Sequence, residues 1–465
     1  MRIPPSFARL GAHLPGSLGA SFEFVARRAG LAHGDRQVGE LERTVRRLLR
    51  FADRAFARGD LDSTTGFLVK VFELTHHVEV RHDPLRFAQI LRESKAVRRL
   101  GEPSENLYSS GTSSQAPPGR PVRLLVVAHR SFTFVDRVIA LLEERGIAEC
   151  RRVDLAEHVE ADDLRMHSLI RARLAGVTRP LPESMRTDVE WAEAIFVEWG
   201  HHALVWASIT DFGELPVYGR FHRFEAFTAF PLLIDFSRLT HTVFVADHVR
   251  NLLLKLRPDL EASRTSVITN ALDTDRFTLP KLEDAHRTAI LVGWNRPVKD
   301  PSWALEVLRE VLRSQPEFRL LLAGEAPRDW ESIVAQGLRD AGTVELLGQR
   351  DDMPSVFRRA GFVLSASRHE GTHEAVAEGA ASGAIPIVRD WPEARAFGGA
   401  RSVYPEEWVV ESPQEAAQKI CGLLADSELY QSRASSVRQW IRESRGGGKI
   451  ARAYADMLTG SAYSS

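Results

Sequence analysis

Cysteine is nearly absent: the 465 residues include two, Cys150 and Cys421. They lie far apart and in no metal-ligand spacing, which argues against a disulfide-framed secreted fold or a thiolate zinc site and fits a reduced, cytoplasmic setting. No apolar run approaches the roughly 18 residues needed to span a bilayer. The N-terminus, Met1-Arg-Ile-Pro-Pro-Ser-Phe7, lacks the continuous apolar segment of a signal peptide. Charge of one sign is lacking too. With 61 basic and 62 acidic residues and a net charge of −1, nothing draws the whole chain toward nucleic acid or an anionic membrane. The expectation is a cytoplasmic protein, at most peripheral to the inner face of a membrane, with no nucleic-acid partner.

What is present is enough apolar material, 44% of residues, for more than one core. Residues 1–102 read as an all-helical extension. Leu41, Val45, Leu48, Leu49, Ala52, Ala55 and Phe56 recur every three or four positions, Gly59-Asp60 breaks the helix, and 64–77 reads as its antiparallel partner. One such pair is faintly like a tetratricopeptide unit, but an array is what that fold requires. The first 60 residues carry about eleven arginines against six acids, a pattern that is most often a solvated face and could also serve a partner or acceptor. Residues 103–120, rich in Ser, Gly and Pro, read as a linker. Beyond it, strands alternate with helices, first over 121–283 and again over 284–440, predicting two doubly wound parallel α/β sheets. A last helix over 441–465 is expected to pack back toward the first sheet.

The densest motif is Ser367-Arg-His-Glu370-Gly371-Thr372-His373-Glu374-Ala-Val-Ala-Glu378, between the apolar run 362–366 and a glycine stop at Gly383. In an open α/β sheet such a loop falls at the carboxyl end of a strand, where ligands bind. The helix that follows offers free N–H groups to a phosphate. The two acids eight positions apart resemble the E-x7-E signature of the retaining GT-B glycosyltransferases, chiefly glycosyltransferase family 4. The segment Gly293-Trp294-Asn-Arg296-Pro-Val-Lys299 is similar to that family's donor-phosphate loop. Lys299 takes the lysine position, Trp294 stands where the arginine usually is, and Arg296 follows two residues later. Asn270-Ala271-Leu-Asp-Thr-Asp-Arg-Phe277 resembles the family's interdomain turn, with Ala271 in place of its glycine.

The resemblance implies two Rossmann-like domains facing across a cleft, and retaining transfer from a nucleotide-diphosphate sugar to an acceptor of unknown kind. The donor nucleotide sugar would be a substrate, with no cofactor and no metal. Glu370 would orient the sugar, and His222 would be the cleft histidine; these are the candidate catalytic residues. Arg296, Lys299, Gly324, Gly348, Gly371, Thr372, His373, Glu374 and Glu378 would hold the donor. His129, Arg130, Glu198 and Arg223 are candidates on the acceptor side. Two departures stand out. The loop His129-Arg-Ser-Phe-Thr-Phe134 has none of the family's glycines, and His373 replaces the motif's second glycine, adding a side chain expected to point at the donor sugar. Alternatives are a nucleotide-sugar 2-epimerase of the same architecture and a catalytically inactive adaptor.

Overall fold

A computed structural model describes residues 35–75, 84–104, 120–327 and 343–460. The start of the predicted extension, most of the predicted linker and the extreme C-terminus lie outside them. Two six-stranded parallel sheets dominate the described residues, as the sequence suggested.

The first sheet runs β2-β1-β3-β4-β5-β6. Its strands are β1 (Val122–Ala128), β2 (Ala148–Asp154), β3 (Ala194–Glu198), β4 (Val217–Phe221), β5 (His241–Phe244) and β6 (Thr265–Val267). β3 and β4 are buried along their whole length, which is why their sequences read as unbroken apolar runs. β2 was not foreseen. It is an edge strand, Ala-Glu-Cys-Arg-Arg-Val-Asp, with one side toward solvent, so its polarity hides it.

The second sheet runs β12-β11-β10-β7-β8-β9. It comprises β7 (Thr288–Val292), β8 (Arg319–Ala323), β9 (Val344–Gly348), β10 (Phe362–Ser365), β11 (Ile385–Arg389) and β12 (Val409–Val410). In both sheets the chain starts near the middle and winds outward both ways, so a crevice opens at the carboxyl ends where the winding reverses.

Four N-terminal helices pack on the first sheet: α1 (Asp35–Ala57), α2 (Leu61–Thr75), α3 (Pro84–Glu93) and α4 (Lys95–Gly101). The stripe read from the sequence is buried, and Leu41, Val45, Leu48, Phe72, Leu91 and Leu100 share one continuous core with Leu125 and Val127 of β1. Arg173, fully buried, fastens this layer. Its guanidinium donates to Leu100 O at 2.7 Å and Glu102 O at 2.7 Å and faces Asp235 at 3.3 Å. The helices are therefore a built-in layer of the first domain.

At the other end of the chain, residues 441–445 continue a long helix (Ser427–Arg445) that packs on the second domain. The helix Gly447–Thr459 then crosses back, burying Ile450, Tyr454 and Leu458 among the residues of β1, β3 and β5.

Candidate active site

Four non-glycine residues among those described have a positive φ: Arg130 (64°), Trp199 (73°), Asp300 (41°) and His373 (42°). Each lies in a loop following the carboxyl end of a parallel strand, respectively β1, β3, β7 and β10. Such backbone costs on the order of 1–3 kcal/mol per residue and collects where function demands a fixed shape. All four loops rim the crevice.

On the second domain's rim, Asp300 and His373 are the residues before two helices, Pro301–Leu312 and Glu374–Ala381. The loops are tied by Arg368 N–H donating to Val298 O at 2.8 Å. That tie brings Lys299 Nζ to 2.7 Å from Glu370 Oε1 and 3.0 Å from His373 Nε2. Ser367 Oγ donates to the same Glu370 oxygen at 2.8 Å. Burial alone would raise the Glu370 carboxyl, but the Lys299 ammonium, helped by Arg223, holds it below its ordinary value, while burial lowers Lys299 against the opposing pull of Glu370. His373 is pushed down to about 3 by burial and by the charge on Lys299. Its neutral ring accepts from Lys299 and donates Nδ1–H to Ser365 Oγ at 2.7 Å. His373, expected to point at the donor sugar, has its ring engaged by Lys299 and Ser365. The ring is 5% exposed and held inward between Ser365 and Lys299, because a left-handed backbone turns it under the helix start.

Other candidates fall into separate environments. Arg296 is exposed, has no side-chain partner among the described residues, and lies near enough to Lys299 and His373 to bear on both electrostatically. Trp294, where an arginine was expected, is a core residue whose Nε1 reaches Gly324 O at 3.3 Å. Gly324 has φ 115°, and a Cβ there would sit 3.3 Å from Gly293 Cα, so that crossing of two loops needs glycine. Gly348 is exposed and hydrogen-bonded to Gly324. The Glu374 carboxylate, expected to meet the donor, is instead engaged by Asn270 Nδ2 at 3.0 Å, Arg445 at 3.4 Å and the Thr372 hydroxyl, so only its backbone is left for that task. Those contacts clamp the motif to the interdomain turn, with Tyr404 donating to Thr372 O at 2.6 Å.

Glu378 is half-buried on its helix, and its carboxylate has no hydrogen-bond partner among the described residues. Burial, with Glu374 nearby, pushes it up to about 7. Between the ordinary carboxylate range and about 7 the folded protein thus keeps a proton that the unfolded chain has lost. Stability therefore falls as pH rises through that window. Glu378→Gln, which cannot ionise, should match wild type in thermal melts at pH 5 and exceed it at pH 8, by roughly 2–4 °C. Equal melting temperatures at pH 8 would show that the carboxylate is solvated instead.

Across the crevice, His222 Nε2 donates to Glu198 Oε1 at 2.8 Å, and Arg220 approaches the other Glu198 oxygen at 3.5 Å. Burial would raise Glu198, yet Arg220 and His222 hold it down as a carboxylate. The His222 ring lies against Trp199, with centroids 4.4 Å apart, and Phe134 at 5.0 Å. Trp199 itself donates to Ser131 O at 2.9 Å and stacks on His201. His129 meets His202 edge-on at 6.4 Å, and the Arg130 side chain is exposed. Arg223 bridges the two domains, with Nη1 2.8 Å from the His369 ring and its Cβ close against Gly371. His248 Nε2 donates to Glu370 O at 2.7 Å, a second bridge that the sequence did not flag. Asp273-Thr-Asp275, an Asp-x-Asp triplet, has both acids exposed at the interdomain turn. Among the described residues no three His, Cys, Asp or Glu are grouped to hold a metal ion.

Comparison with known proteins bears on the family and the fold. Residues 286–426 match the family described as Glycosyl transferases group 1. A stretch of 138 residues, 28% of this chain, is 28% identical to the GDP-mannose:cellobiosyl-diphosphopolyprenol alpha-mannosyltransferase of Xanthomonas campestris. The match spans about a third (36%) of that curated relative's length. Among solved structures, Anabaena HepE in complex with UDP superposes with a TM-score of 0.54 at 14% identity, covering 73% of this chain and 100% of its own. A glycosyltransferase from Rickettsia africae ESF-5 gives 0.55 at 12% identity, covering 74% and 100%. At those identities the likeness is one of fold.

Proposed function

We propose that this chain, which has the GT-B fold and matches the group 1 glycosyltransferases over residues 286–426, transfers a sugar from a nucleotide-diphosphate sugar to an acceptor hydroxyl, with retention and without a metal. The observation that carries the reading is the cluster of Lys299, Glu370 and His373 at the crevice, beneath two helix N-termini and beside Arg296 and Arg223. Positive groups and free N–H donors there suit a leaving diphosphate, and charge-assisted bonds to it are worth roughly 1.5–3 kcal/mol each. The curated relative takes GDP-mannose and HepE was solved with UDP, so the base remains to be read by assay.

In this scheme the anomeric carbon–oxygen bond to the diphosphate breaks while the acceptor oxygen bonds from the same face. The departing phosphoryl oxygen takes the acceptor proton. Lys299 leaves its ion pair for the phosphate, which frees Glu370 to accept from sugar hydroxyls near the developing positive charge. Glu378, with its unpartnered carboxylate, would accept from the ribose. His222, fixed by Glu198 and the aromatic pair, would line the acceptor side of the reacting carbon. The relative's name puts its acceptor on a diphosphopolyprenol, which makes a lipid-linked glycan the first acceptor to try.

The test is turnover against a panel of GDP- and UDP-sugars, with the anomeric configuration of the product read by NMR. Inversion at that carbon, or hydrolysis-free epimerised donor without acceptor, would replace the proposal. His222→Ala is expected to lower kcat by about 100-fold with the donor KM little changed, since positioning at the acceptor face is what it removes. An unchanged kcat would return His222 to a purely structural role.

A further inference from the structure

We propose that the outer face of α1 docks the protein on an anionic lipid surface. Arg43, Arg47, Arg50 and Arg54 are exposed at steps of four, three and four residues, a single stripe about 16 Å long at 1.5 Å per residue. Arg58 extends it just past the helix end. None of the five has a carboxylate partner among the described residues. Elsewhere on the surface, Arg120, Arg152, Arg186, Arg287 and Arg359 are all paired with acids. Two acids of α1 are drawn away from the stripe: Glu42 holds Arg46 and Arg86, and Asp53 accepts from Ser94 Oγ and Ala96 N–H, while Glu40 stands one turn before Arg43 at the stripe's N-terminal end. The net charge of −1 hides this, because the excess is local.

The shape selects the partner. A straight ridge on a convex helix can touch a plane of headgroups along its whole length, whereas a nucleic-acid backbone curves away from it. No aromatic platform for bases is exposed on the ridge. Phe51 is half-buried, stacked on Phe67 at 5.6 Å, with Arg47 and Arg54 lying over its ring. All five basic groups are guanidinium forks, which grip phosphate oxygens in pairs. Because α1 shares its core with the first sheet, a membrane held by this ridge would hold the crevice-forming domain at a fixed height and tilt.

The experiment is co-sedimentation of the full chain with vesicles of pure phosphatidylcholine and vesicles containing 30 mol% phosphatidylglycerol. Binding is expected only to the anionic vesicles and is expected to fade at high salt. Each arginine near such a surface contributes roughly fivefold to partitioning. The quadruple variant Arg43→Gln, Arg47→Gln, Arg50→Gln, Arg54→Gln should therefore bind weaker by roughly 600-fold, with an unchanged melting temperature. A control with Arg433→Gln and Arg442→Gln, exposed on the second domain, should bind as wild type. Equal binding by the quadruple variant, no binding by the wild type, or tighter binding to duplex DNA at equal phosphate would overturn the proposal. No sugar nucleotide enters the assay, so its failure leaves the proposed transferase reaction standing.

Discussion

Replacing Lys299 by Ala should abolish measurable transfer, lowering kcat/KM by about 1,000-fold or more, and should also lower the melting temperature. Two effects combine. Catalysis loses the cation facing the leaving diphosphate, a loss comparable to removing an oxyanion donor, on the order of 3–4 kcal/mol. Stability falls because Glu370 is left buried and ionised with its charge partner gone, which costs about 3–5 kcal/mol in comparable sites. The double variant Lys299→Ala, Glu370→Ala separates the two. It removes both charges together, so its melting temperature should recover part of the loss, while transfer stays absent because both proposed roles are gone. If the double variant melted no higher than Lys299→Ala alone, the ion pair would not be what stabilises this loop. If either variant turned over normally, the catalytic reading would fall and the cluster would be structural.

That this cluster exists was legible from motif spacing, but its internal wiring was not. Residues 299 and 370 belong to loops after β7 and β10, and the strand order β10-β7 makes those loops neighbours. Sequence order alone, with β8 and β9 between them, conceals that. The placement of the His373 ring was not legible for a local reason. Nothing in the motif announces the φ of 42° at which the ring meets Ser365. His222 was picked out in its own segment, but its cage comes from Phe134 and Trp199, which converge only because β1, β3 and β4 are adjacent. Likewise, β7 and β10 announced themselves as apolar runs, while β2, with Glu149, Arg151 and Arg152 along an edge, and the two-residue β12 carry no such signal. Burial on both faces leaves a mark on sequence; pairing at an edge leaves little.

Removing residues 1–102 should yield protein that is insoluble or fails to melt cooperatively, rather than a working enzyme that has lost an accessory. The inner faces of these helices are built into the core of the first domain, independently of what their outer face meets. Fully burying a residue such as Leu, Val or Phe is worth about 1.5–3 kcal/mol. The four helices contribute Leu48, Leu68, Val71, Phe72, Phe87, Leu91 and Leu100 to the core beneath β1. Even allowing for the entropy of ordering them, the exposed counterpart surface, including Leu169, Ile170 and Leu174, is large beside a typical stability of 5–15 kcal/mol. Arg173 would suffer separately. It would lose both of its carbonyl acceptors in Leu100 and Glu102 and remain buried against Asp235. Arg173→Met in the intact chain isolates that term: both helix acceptors and Asp235 lose their donor, and a drop in melting temperature of several degrees is expected. Expression and differential scanning calorimetry of the two proteins decide the matter. A truncated chain that is monomeric, melts as sharply as the full protein and transfers sugar at the same rate would show that the helical layer is separable, and that the shared core contributes far less than its burial suggests.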